Sequence, residues 1–324
     1  MRPLTPRPGL PDTDSLYVLP ERKAKAVRRE FPDTAEDWIA DFGDLVRRCC
    51  DRWSLTLEGT AEAGLPINVV FFARQAGGEP VVLKVGHPHP ELATEMIYLR
   101  RVSSPNLVTL IDADEGLGAI LMKRILPGTL FRAVEADRAD VALPVFGKLA
   151  KPEDSVPGLP TYRDWIDKAF RTCRARLAPS DDYLRHVDRA ERLYTRFEGE
   201  TTHLLHGDLH HENLLLDPEG GWVAIDPKGV IGPRIMECGR FMGNFIVDEV
   251  PDGDPGKTGE VLWRRCEVMA TVMERGPAEV LAAGYIDLVL GTTWTVNAGG
   301  EGSVGRTLMP VFADRLNRTD FARV

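Results

Sequence analysis

Apolar positions along this chain change period several times. Trp38, Phe42, Leu45, Val46, Cys49 and Trp53 recur at the three-and-four spacing of an amphipathic helix. Asp33 followed by Glu36 gives that helix a start resembling a capping box. Ser54 to Glu58 then alternates as a strand does, and Ile67 to Ala73 and Pro80 to Val85 read as buried strands. The stretch Gln75-Ala76-Gly77-Gly78-Glu79 between those two is a hairpin turn. A helix is predicted from about Pro90 to Val102. Strands follow at Leu107 to Ile111 and Ala119 to Ile125, joined by a turn at Glu115-Gly116-Leu117-Gly118.

These segments make a β-rich region with one helix inserted after its third strand. Beyond Pro127-Gly128 the pattern turns mostly helical, with Leu184, Val187, Ala190, Tyr194 and Phe197 marking one helix face. Two short strands interrupt between Thr202 and Ile225, separated by the turn Asp217-Pro218-Glu219-Gly220-Gly221. The chain shows no internal repeat and no low-complexity tract. A hinge near residues 123 to 128 is therefore expected. It divides an N-terminal lobe of residues 1–125, with a Pro-rich arm and leading helix, from a helical lobe of residues 126–324.

Composition narrows the function classes. A 324-residue chain with 43% hydrophobic and 27% charged residues can bury a sizeable core in one or two domains. Its formal charge of -9 argues against nucleic acid as the main partner, because neutralising phosphates needs a basic surface. The five cysteines are scattered without C-x-x-C spacing, which suits free thiols in a reducing compartment. The first twenty residues carry five prolines and no apolar signal-like core, and no apolar run is long enough to span a bilayer. A cytoplasmic protein with no membrane partner is expected.

The chemistry concentrates in His206-Gly207-Asp208-Leu209-His210-His211-Glu212-Asn213, followed after a hairpin by Ile225-Asp226-Pro227-Lys228-Gly229. Phosphoryl transfer needs a carboxylate near the attacking hydroxyl and hard ligands for Mg²⁺ beside the phosphates. Asp208 can serve the hydroxyl, and Asn213 and Asp226 the metal. A zinc hydrolase built from His206, His210 and His211 is the rival reading, but the remaining histidines form no second cluster of ligand spacing.

The spacing H-x-D-x-x-x-x-N is that of the protein-kinase-like catalytic loop. The strings HGDLHHEN and AIDPKG resemble those of the aminoglycoside and hydroxyurea phosphotransferase family, which includes streptomycin 6-phosphotransferases. The resemblance covers about residues 54 to 300 and implies a bilobal α+β protein-kinase-like fold. In it, a small antiparallel β lobe precedes a larger helical one, with nucleotide bound between them. It also implies ATP as co-substrate and Mg²⁺ as cofactor, with Asp208 as base, Asn213 and Asp226 as metal ligands, and His206 orienting the loop.

Other positions take meaning from that frame. Lys84 stands alone among apolar neighbours in Val81-Val82-Leu83-Lys84-Val85, as the lysine that contacts the α- and β-phosphates would. Its partner should come from the next helix, where Glu95 fits the family pattern better than Glu91. Gly59-Thr60-Ala61-Glu62-Ala63-Gly64 occupies the place of a phosphate-covering loop but lacks the full glycine spacing; Thr60 is its candidate contact. Met122 ends the fifth strand where the adenine edge would bind. Lys228, two residues after Asp226, could offset charge on the transferring phosphate or contact the substrate, or equally form a structural ion pair. The acceptor is a small molecule bearing a hydroxyl, expected to be an aminoglycoside such as streptomycin, or hydroxyurea, or a housekeeping metabolite. Glu237, Asp248, Glu249, Asp252 and Asp254 could line a pocket for a cationic acceptor, and Trp294 could wall it. A pseudokinase is disfavoured because Lys84, Asp208, Asn213 and Asp226 are all present.

Overall fold

In a computed structural model the chain forms two compact units, Met1–Leu130 with Leu215–Ile225, and Phe131–Leu214 with Asp226–Val324. The structure describes residues 16–61, 67–130, 145–217, 219, 221–244 and 246–322.

The first unit is built on an antiparallel sheet of order β1-β2-β3-β5-β4: β1 (Leu55–Thr60), β2 (Val69–Gln75), β3 (Pro80–Val85), β4 (Leu110–Asp114) and β5 (Ala119–Lys123). Every second residue of β2 (Val69, Phe71, Ala73) and of β3 (Val81, Leu83, Val85) joins one buried cluster. The helix Ala35–Trp53 supplies the opposing stripe of Trp38, Phe42, Leu45, Val46, Cys49 and Trp53. Burying each large apolar side chain contributes about 1.5–3 kcal/mol, so this double stripe fixes the register of the sheet. Lys84, out of phase with that face, is placed on the other side of β3.

Two local expectations differ from what forms. The capping box at Asp33 and Glu36 is absent: Thr34 is the N-cap residue, its hydroxyl lies 2.9 Å from His87 Nε2, and Glu36 accepts from Arg28 at 2.6 Å. The fourth strand begins at Leu110 rather than Leu107. Leu107 bridges Ala224, and Val108 N–H donates to Ala224 at 2.9 Å, so these residues are committed to a second small sheet. That sheet joins β10 (Trp222–Ala224), β9 (Leu214–Leu216) and β6 (Thr129–Leu130). Because β6 pairs with β9, the first unit runs to Leu130 and takes in the hairpin Leu215–Ile225, where the apolar pattern places one boundary after residue 125.

The second unit gathers around the helix Pro277–Asn297, in which Val280 to Asp287, Val289 and Leu290 are all buried. A helix apolar on every side needs neighbours on every side. Tyr162–Arg176, Tyr183–Tyr194, Gly239–Gly243, Pro255–Met273 and Ser303–Asn317 supply them. A three-stranded sheet of β7 (Lys151–Pro152), β8 (Thr202–Leu205) and β11 (Val230–Pro233) packs through β11 on the helix Tyr162–Arg176, and the chain leaves β8 directly into His206. Among the described residues no helix is long and apolar enough to cross a membrane.

Candidate active site

The loop after β8 is held from beneath by a buried carboxylate. Glu237, in the 3₁₀ turn Arg234–Cys238, accepts from His206 N–H at 2.7 Å through Oε2 and from Gly207 N–H at 3.1 Å through Oε1. Gly207 sits at φ +78°, and a Cβ there would lie 2.8 Å from Val230 and 3.0 Å from Trp165, so only glycine fits. His206 is fully buried; its carbonyl accepts from Lys228 and Gly229, and its Nδ1 accepts from Asp208 N–H at 3.3 Å. Asn213 Nδ2 donates to the Asp208 carbonyl at 2.8 Å and closes the loop. Asp226 follows β10 at φ +61°, a left-handed conformation that costs a non-glycine residue roughly 1–2 kcal/mol. Strain of this kind persists where the surroundings impose it and often marks a functional position.

Glu237 makes the loop sensitive to pH. Burial pushes its carboxyl up from 4.5 to about 7, against the two loop N–H groups that favour its charge. The unfolded chain loses this proton first, so the contribution to stability is full below pH 4.5 and is lost as pH rises to about 7. The displacement corresponds to roughly 3 kcal/mol. In Glu237→Gln the amide turns one donor toward a loop N–H, leaving a buried group unpaired at about 1–3 kcal/mol. Denaturant unfolding at pH 5 and pH 8 should therefore show the variant weaker than wild type at pH 5, with the gap narrowing by pH 8. Parallel pH profiles would refute the assignment.

Above the loop, Asp208 shares a cation with a second carboxylate. Arg240 Nε lies 3.3 Å from Asp208 Oδ1 and 3.4 Å from Asp287 Oδ2. Tyr162 O–H donates to Asp287 Oδ1 at 3.1 Å, and the Arg240 guanidinium lies 5.5 Å from the Trp294 ring centroid. Burial alone would lower the Arg240 pKa, but Asp287 and then Asp208 outweigh it, and the group is held charged. His210 Nε2 is 3.9 Å from Asp208 Oδ1, with its imidazole pushed down by burial. His211 is buried and stacks on Phe241 at 4.0 Å between centroids. Arg240 and Asp287 were not among the sequence-derived candidates. One signal was present: Asp287 is the only charged residue between Glu279 and Glu301, and a lone carboxylate in an apolar helix needs a partner.

Arg240 and Asp287 also line a pocket of about 410 Å³ within this unit, with Asn244, Thr292, Thr295 and Ser303. The acidic residues expected to form a cationic pocket do not gather there. Glu237 faces the loop, Glu249 pairs with Arg265, Asp252 pairs with Lys257 at 2.5 Å, and Asp254 caps the helix Pro255–Met273. Trp294 meets Trp165 edge-on and stays 36% exposed, and it is not among the residues that line this pocket. Among the described residues no group of three or more His, Cys, Asp or Glu is placed to hold a metal ion by itself.

In the first unit Lys84 and Glu95 form an ion pair at 2.6 Å, with side chains 4% and 5% exposed. Glu95 comes from the helix Pro90–Arg101, whereas Glu91 on the same helix is exposed. Thr60 ends β1 exposed to solvent; residues 62–66 of the candidate phosphate loop lie outside the described residues. Met122 is buried in β5 between Val82 and Leu110.

The fold is protein-kinase-like. Over 85% of this chain and 100% of the other, it superposes on choline kinase LicA from Streptococcus pneumoniae with TM-score 0.61 at 13% identity. Within that fold the chain belongs to the aminoglycoside/hydroxyurea antibiotic resistance kinases, whose family profile matches residues 52–299. It is 30% identical to streptomycin 6-kinase of Streptomyces griseus over 89% of this chain and 93% of that protein. It is 29% identical to hydroxyurea phosphotransferase of Kitasatospora aureofaciens over 86% and 78%. The chain is thus an ATP-dependent phosphotransferase acting on a hydroxyl group of a small molecule.

Proposed function

We propose that this enzyme phosphorylates a hydroxyl of a streptomycin-type aminoglycoside, with Asp208 as the base that orients or deprotonates it. The observation that carries the site reading is the loop tied between Glu237 and Asn213, which presents Asp208 from a backbone fixed at both ends. Lys84, paired with Glu95, orients the α- and β-phosphates. Thr60 and the backbone around Met122 contact the phosphates and the adenine edge.

The donors fit Mg²⁺. Asn213 commits its amide nitrogen to the Asp208 carbonyl, which leaves its amide oxygen as the atom that would serve a metal. An amide oxygen and the carboxylate of the strained Asp226 are the hard ligands that Mg²⁺ takes alongside phosphate oxygens. Bound there, the ion neutralises phosphate charge. Lys228, half-buried with its N–H on the His206 carbonyl, adds a cation beside the loop. We place the reaction in the cytoplasm, where five buried free cysteines keep their thiols.

The test is Mg·ATP turnover by purified protein with streptomycin, other aminoglycosides, hydroxyurea, sugars and amino alcohols in parallel. ADP release that depends on streptomycin and disappears in Asp208→Ala is the expected result. Turnover with hydroxyurea alone would transfer the assignment to that acceptor. Nucleotide binding without turnover on any acceptor would favour a pseudokinase, and no nucleotide binding would overturn the reading.

A further inference from the structure

We propose that Arg240 is a positioning residue for the phosphotransfer, its guanidinium clamping Asp208 from the side of the acceptor pocket and being held in turn by Asp287. The inference rests on the reading of Asp208 as the base.

One guanidinium nitrogen touches both carboxylates, at 3.3 and 3.4 Å, yet its N–H makes no aligned hydrogen bond to either. The contact is therefore electrostatic, and strong because the side chains are largely withdrawn from water. The bonds that fix Asp208 run through its backbone, and its Oδ1 meets Arg240 at 3.3 Å and His210 at 3.9 Å, so the nearer cation restricts rotation of the carboxylate. Asp287 is anchored to the buried Tyr162 hydroxyl, so the clamp is referred back to the central helix rather than to a surface side chain.

The surrounding backbone is shaped to this arrangement. A Cβ on Gly239 would lie 2.8 Å from Asp287 Cβ, so glycine there admits the carboxylate. A Cβ on Gly291 would lie 2.9 Å from Arg240 Nη1, and the three nearest atoms to it all belong to the Arg240 guanidinium. Glycine in the interior of a 21-residue helix is unfavourable unless something needs the space. At Gly291 that something is Arg240. Arg240 and Asp287 both line the 410 Å³ pocket, so an acceptor seated there touches the clamp, and the clamp in turn touches Asp208.

Gly291→Ala tests this without removing any charge. The added methyl meets the far end of a flexible side chain, and the helix preference of alanine offsets part of the cost of loosening the Arg240–Asp287 contact, so the protein should stay folded with a small change in melting temperature. The guanidinium must shift, and kcat for acceptor phosphorylation should fall roughly 10–100-fold with the KM for Mg·ATP unchanged. Arg240→Ala should lose kcat similarly, and guanidinium chloride at sub-denaturing concentration should restore part of it, though not in Asp208→Ala. A folded Gly291→Ala enzyme with wild-type kcat, or an Arg240→Ala enzyme with wild-type kcat, overturns the role of Arg240. Wild-type protein that turns over no acceptor overturns the phosphotransfer reading beneath it.

Discussion

Asp208→Asn is expected to lower kcat by roughly 10²–10⁴-fold, the range for loss of a positioned general base, while the KM for Mg·ATP barely moves. Asparagine keeps the shape of the side chain. It also leaves the loop untouched, because the bonds that fix this residue run through its backbone: its N–H to His206 Nδ1 and its carbonyl to Asn213. What it removes is the charge that pairs with Arg240 and the ability to accept the hydroxyl proton. The melting transition should therefore change far less than the rate. Steady-state kinetics at saturating acceptor, with nucleotide affinity measured separately, decide the matter. A variant whose acceptor KM rises with kcat intact would show that Asp208 only binds ground-state substrate, and the base would have to be sought elsewhere.

The parts of this molecule legible from the chain are those where one residue type at one spacing meets a single physical demand. The alternation in Val69, Phe71, Ala73 and Val81, Leu83, Val85 must face a core, and the helix Ala35–Trp53 presents a matching stripe. Lys84 was legible because a lysine in such a strand needs an anion, and Glu95 lies on the next helix at 2.6 Å. Where two partners compete, local pattern fails. Leu107 and Val108 are as apolar as a strand requires, but they pair with Ala224, more than a hundred residues away. Thr34 can cap a helix, yet its hydroxyl goes to His87. The roles of Arg240 and Asp287 depend on a meeting of two helices, permitted by the missing side chains of Gly239 and Gly291. A glycine chosen for space looks in sequence like any weak helix position. For Glu237, Glu249 and Asp252 the charge was visible, but the backbone N–H groups, arginine and lysine that take it up were not.

Lys84 and Glu95 carry the second large effect, and the pair separates stability from catalysis. Lys84→Met removes the cation that Glu95 meets at 2.6 Å, and Glu95→Gln removes the charge that Lys84 meets there. Removing one member of a buried pair typically costs about 3–5 kcal/mol, since the remaining charge has lost its compensation. Replacing both, as in Lys84→Met with Glu95→Leu, removes both desolvation penalties and should return most of that stability. Activity should not return with it. A lysine that contacts phosphates supplies electrostatic stabilisation that an apolar side chain cannot, and its loss should lower kcat/KM for Mg·ATP by roughly 10²–10³-fold in single and double variants alike. Urea unfolding and initial rates on the same four proteins give the comparison. A double variant that recovers both stability and rate would make the pair a structural strut between β3 and the helix Pro90–Arg101. A stable double variant that stays inactive leaves phosphate orientation as the reason for burying a lysine in this sheet.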